Sequence, residues 1–80
     1  MKAEELKVGE RVRATGRDTR GWTTTREGFV VVEPKNVEAQ WDRSKRPAIR
    51  LHVDPNRDAG PTRQNWLTVL PGTEVEELDA

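Results

Sequence analysis

The pattern that most limits what this chain can become is a series of short apolar runs cut apart by polar, turn-forming stretches. The runs cover residues 8–14, 28–32, 48–53, 66–70 and 73–78. Each is short for a helix, and most are rich in β-branched residues, which suit a pleated surface. Val8, Val12 and Ala14 fall at even spacing, with Glu10, Arg11 and Arg13 between them. That alternation reads as a strand with one wet face. Gly9 interrupts it and marks a turn or bulge. Gly28-Phe29-Val30-Val31-Val32 is apolar on both faces and reads as a central strand ending before Pro34. Ile49, Leu51 and Val53 alternate with Arg50, His52 and Asp54, the cleanest strand signal of the chain. Trp66-Leu67-Thr68-Val69-Leu70 supplies a fourth strand, and Pro71-Gly72 turns into a short last one. The expected fold is all-β, a small five-stranded antiparallel barrel. Its core is expected to hold Val8, Val12, Val30, Val32, Ile49, Leu51, Val53, Leu67 and Val69.

The polar stretches are less uniform. Residues 16–26 read as a long polar loop or loose hairpin. Residues 54–61 are turn chemistry throughout, with Asp, Asn, Gly and two prolines. Between Pro34 and Pro47 the chain could form a helical turn, or extend a strand with Val37, Ala39 and Trp41 on one side. The bracketing prolines favour an ordered loop.

Eighty residues make one domain, residues 1–80, with a barrel core over about 6–78. Only 32% of residues are hydrophobic and 35% are charged, so nearly every large apolar side chain is needed inside. There is no cysteine, hence no disulfide or thiolate metal site, which favours a reducing, cytoplasmic setting. No run of about 18 apolar residues spans a membrane. Met1-Lys2-Ala3-Glu4-Glu5 lacks the apolar core of a signal peptide. The net charge is zero but unevenly spread. Residues 11–30 carry five arginines against two acids, and residues 43–63 carry six cations against two acids. Residues 64–80 hold four acids and no cation. Such asymmetry builds either a basic and an acidic face or a mixed, solvated surface.

Leu6-Lys7-Val8-Gly9-Glu10-Arg11-Val12 resembles the opening "hydrophobic, x, hydrophobic, Gly, acid, x, Val" of SH3-like barrels, including Tudor-like and KOW-type domains. Arg26-Glu27-Gly28-Phe29-Val30-Val31 is similar to their second strand. The resemblance covers about residues 6–78 and implies a small five-stranded SH3-like antiparallel barrel. It also implies that the first long loop and the loop between the second and third strands flank one groove. The chain has no Tyr, so the Tyr-rich peptide groove of signalling SH3 domains is not carried over.

Chemistry is sparsely provided for. His52 is the one histidine and Ser44 the one serine. No Gly-x-Ser-x-Gly elbow surrounds Ser44, and the pair would have to meet across a strand to act together. No catalytic residue is assigned, and His52 is expected as a half-exposed strand residue. One histidine without cysteine makes a poor zinc site. Asp54-x-Asn56-x-Asp58 matches the start of a calcium loop. Ala59 then stands in place of the sharp-turn glycine and Asn65 in place of the bidentate Glu. The segment is expected to be a polar turn whose Asp and Asn bond nearby amides, with no metal and no cofactor.

Three tryptophans stand out in a chain with one Phe. Trp66 begins a strand and is expected in the core. Trp41 either plugs a barrel mouth or lies exposed beside Arg43, Lys45 and Arg46. Trp22 sits among Arg20, three threonines and Arg26, and either closes one barrel end or stands free to stack. Flanked by arginines, an exposed ring suits a base or a peptide side chain. These residues define a non-enzymatic binding module. Its candidate ligand-binding residues are Arg17, Arg20, Trp22, Arg26, Trp41, Arg43, Lys45 and Arg46. The leading partner is nucleic acid, with arginines on phosphates and a tryptophan on a base. The alternative is a protein-interaction or adaptor barrel using the same loops or an open strand edge.

Overall fold

A computed structural model describes residues 1–38 and 46–78. Among these residues the regular structure is six β-strands and two short 3₁₀ turns, with no α-helix. The strands are β1 (Arg11–Arg17), β2 (Thr23–Val30), β3 (Lys35–Glu38), β4 (Pro47–Asp54), β5 (Trp66–Val69) and β6 (Glu76–Glu77). All pairings are antiparallel. β1 pairs β2 along its whole length, from Arg11 with Phe29 to Arg17 with Thr23. β2 also reaches β4, β4 pairs β5, and β5 returns to β1 through Arg17 and Thr68. The pairings thus run in a circuit, with β3 outside β4 and β6 against β1.

Two glycines permit the close approaches in that circuit. A Cβ on Gly16 would stand 2.7 Å from Val69 Cγ1 and 2.8 Å from the Thr68 carbonyl oxygen. A Cβ on Gly28 would stand 2.5 Å from the Asp54 carbonyl group and 2.8 Å from Pro55 N. At both places neighbouring backbone comes nearer than any side chain allows.

The core lies inside the circuit. Val12, Val30, Ile49, Leu51, Val53, Leu67 and Val69 are buried as expected, and Leu51 and Leu67 have no exposed surface. Val8 is a correction, being 56% exposed. Gly9, at φ 95°, turns the chain there, and its amide bonds to the Val30 carbonyl. The even spacing therefore does not carry across the turn, and β1 begins at Arg11. Val32 is half-buried, because β2 ends at Val30. Ala3, Leu6 and Val75 join the core instead. The N-terminal segment lies along residues 73–75, through Ala3 N to Thr73 O at 2.9 Å and Val75 N to Met1 O at 2.8 Å.

The 16–26 stretch is mostly strand. Thr23, Thr24 and Thr25 continue β2 back toward the turn, leaving only 18–22 as loop. Residues 35–38 of the expected loop are strand β3, in register with β4 from Lys35 and Arg50 to Glu38 and Pro47. β3 makes six strands where five were expected. Residues 39–45, with Trp41, Arg43, Ser44 and Lys45, lie outside the described residues.

Candidate functional site

The hairpin turn between β1 and β2 is organised by one carboxylate. Asp18 Oδ1 accepts from the backbone amides of Arg20 at 2.8 Å and Trp22 at 3.1 Å, and Oδ2 accepts from the Thr24 hydroxyl at 3.1 Å. The Asp18 amide donates to the Trp22 carbonyl, and Gly21, at φ 81°, returns its amide to the Asp18 carbonyl. The Arg17 guanidinium closes the turn by donating to the Gly21 carbonyl at 2.7 Å. Burial alone would push the Asp18 carboxyl up. The Trp22 and Arg20 amides, the Thr24 hydroxyl and the nearby Arg20 charge outweigh it and hold the pKa below the usual range. On this fixed turn the Trp22 side chain is 70% exposed. Of the two readings open for Trp22, the exposed one is what the fold contains.

Two clefts flank the turn and share no lining residue. The first, of about 330 Å³, brings Arg17 together with Arg46, between Thr23 on the hairpin, Thr68 on β5, and Leu70 and Thr73 beyond β5. Leu70 is 47% exposed there. The second, of about 300 Å³, gathers Asp18, Arg20, Arg26 and Arg63. Arg63 was not among the sequence-derived site residues, although it belongs to the cation-rich 43–63 segment. The 3₁₀ turn Arg63–Asn65, capped by the Thr62 hydroxyl, places it beside β2. Arg26 is partly committed, because its guanidinium donates to the Gln64 carbonyl oxygen. That bond braces β2 against the 3₁₀ turn. The structure therefore brings Arg17 to Arg46, and Arg20 to Arg26, in two clefts that border the turn carrying Trp22.

Arg11 meets Glu27 at 3.3 Å, and Arg13 meets Glu27 at 3.0 Å and Glu76 at 2.7 Å. The acidic C-terminal segment thus folds onto β1, and the outer face of β6, β1 and β2 is a mixed, solvated surface.

Trp66 is a further correction, for it is half-buried rather than part of the core. In register with His52, it faces outward, and the Arg50 guanidinium lies 3.7 Å from its ring centroid. Its indole N–H donates to the Thr68 hydroxyl at 2.7 Å.

The 54–60 segment is a pair of consecutive side-chain-capped turns. Asn56 N donates to Asp54 Oδ1 at 2.8 Å, and Asp58 N to Asn56 Oδ1 at 3.0 Å. The buried Asn65 amide then ties the loop to β4. Its Nδ2 donates to Asp54 Oδ2 and the Gly60 carbonyl, while its Oδ1 accepts from Thr62 N. The Asn56 amide foremost, then the Asn65 amide, holds the Asp54 carboxyl below its usual range. His52 Nδ1 lies 2.8 Å from that same Asn65 Oδ1, so it must be the protonated ring nitrogen. Half-buried on β4, His52 is part of this loop-holding network. Among the described residues, no three His, Cys, Asp or Glu side chains are gathered as metal ligands, and no helix is long and apolar enough to cross a membrane.

No protein-family model, curated protein or solved structure matches the chain.

Proposed function

We propose that this chain is a small, non-enzymatic binding module of SH3-like barrel type, and that the face around the β1–β2 turn binds nucleic acid. The pairing circuit and the SH3-like sequence features support the barrel. The observation that carries the function is Trp22, exposed on a turn that Asp18 holds, with two arginine-lined clefts bordering that turn. Arginines meet phosphates, and an indole ring stacks on bases. The engagement of His52 in a network that holds a loop supports a structural part for it rather than a catalytic one.

Fluorescence anisotropy with labelled single- and double-stranded oligonucleotides at low salt tests the reading. The domain is expected to bind, and Arg20→Glu combined with Arg46→Glu is expected to abolish binding while the far-UV circular dichroism stays unchanged. No binding of either form at tens of micromolar protein would remove nucleic acid and put the protein-interaction barrel forward.

A further inference from the structure

We infer that the ligand is a single strand, which crosses the β1–β2 turn with a base stacked on Trp22 and phosphates in the clefts on either side. This rests on the nucleic-acid reading above and goes beyond it in naming the strand state, the path and Arg63 as a contact.

The first argument is the ring. Trp22 is 70% exposed, and both its amide and its carbonyl are held within the turn, by Asp18. A ring presented this way stacks only where a base offers an open face. In a duplex those faces are covered by neighbouring pairs, and entry requires unstacking. In a single strand every base offers one.

The second argument is the placement of the cations. Arg17 and Arg46 line one cleft, while Arg20 and Arg63 line another that shares no residue with it. Both clefts border the turn, the first through Arg17 and Thr23 and the second through Asp18, Thr19 and Arg20. A backbone with phosphates in both can cross that turn, which carries the exposed Trp22. A duplex, stiff over about 150 base pairs, does not fold across a hairpin turn, whereas a single strand does.

The third argument is the support of the hairpin. A β-ribbon can enter the major groove of a duplex when it stands free on both sides. This one is buttressed by β5 where Gly16 meets Thr68, and by the 3₁₀ turn where Arg26 meets Gln64. Arg63 sits on the 3₁₀ turn and Arg46 just before β4, both outside the ribbon. To enter a groove the ribbon would have to carry those supports in with it, which a single strand does not require.

The test uses fluorescein-labelled dT and rU oligomers and a mixed-sequence duplex of equal length, titrated with the whole chain and with Trp22→Ala, Trp22→Phe and Arg63→Glu. At least one single strand is expected to bind tenfold or more tighter than the duplex, and the dT and rU arms show which sugar is preferred. Trp22→Ala is expected to weaken single-strand binding by about 5- to 150-fold, the range for one lost stacking contact. Trp22→Phe is expected to restore most of it, and Arg63→Glu to weaken it, with thermal unfolding unchanged in all three. Duplex bound as tightly as the single strands, or no effect of Trp22→Ala, overturns the single-strand inference and leaves nucleic-acid binding standing. Absence of binding to all three probes overturns both.

Discussion

Two side chains show how unequally single residues count in this domain. Leu51 sits on β4 with no exposed surface, among the most deeply buried side chains. Leu51→Ala leaves a cavity that the surrounding strands fill only in part, and is expected to cost about 2–5 kcal/mol. In a domain this small that is a large share of total stability, and urea unfolding reads it directly. Asp18 lies at the other extreme, on the surface, and acts on the shape of one turn. Its folded pKa lies below its unfolded one. Its contribution is therefore fully present above the unfolded value and is lost as pH falls through the folded value, under about pH 4. In that window the Arg20 and Trp22 amides lose their acceptor, and their hydrogen-exchange protection is expected to drop before that of core residues such as Leu51. Equal protection of both amides well above and well below the carboxylate range would mean that Asp18 does not hold the turn.

At the scale of strands, the sequence was readable wherever side chains alternate between core and water. Ile49, Leu51 and Val53 are all inward because a strand repeats every two residues. It misled where a turn changed the phase, as at Gly9, which leaves Val8 outside. It understated β2, because Thr23, Thr24 and Thr25 are polar although β-branched, and propensity rather than hydrophobicity marks them as strand. Of the candidate site, the exposure of Trp22 and the approach of Arg17 to Arg46 depend on how the circuit closes, which no local pattern encodes. The closure itself rests on Gly16 and Gly28, where strands pack without room for a side chain. Gly28→Ala drives a methyl into the Asp54 carbonyl group and Pro55 N, all backbone. Gly16→Ala meets the Val69 side chain as well as the Thr68 carbonyl. Each is expected to lower stability by about 1–3 kcal/mol, with Gly28→Ala the larger because backbone yields less readily than a rotamer. Thermal unfolding of the two variants ranks them, and a Gly28→Ala variant as stable as the parent would show that β2 and β4 do not approach this closely.

For the molecule as a whole, the arrangement of charge separates what holds the fold from what meets a ligand. Glu76 of the acidic C-terminal segment pairs with Arg13 of β1, beside the Glu27 contacts with Arg11 and Arg13, while Glu74 pairs with the N-terminal amine. These pairs are exposed, and each is worth only about 0–1 kcal/mol. The core of Val12, Val30, Leu51, Val53 and Leu67 carries the stability, and added salt does not screen it. The clefts beside the β1–β2 turn hold Arg17, Arg20, Arg26, Arg46 and Arg63, with Asp18 as the acid among their lining residues. Salt therefore acts on the two properties differently. Four arginines on phosphates, namely Arg17, Arg20, Arg46 and Arg63, give a single-strand affinity falling with salt at a logarithmic slope of about −3. Between about 50 and 200 mM salt that is a loss of roughly 50-fold in affinity. Over the same interval the thermal midpoint is expected to move by no more than about 5 °C, the equivalent of roughly 1 kcal/mol in a domain of this size. Anisotropy titrations and thermal melts in matched buffers check both numbers. A midpoint that falls steeply with salt would show that ion pairs hold the fold together. An affinity that ignores salt would show that Trp22 and Leu70, rather than the arginines, carry the contact.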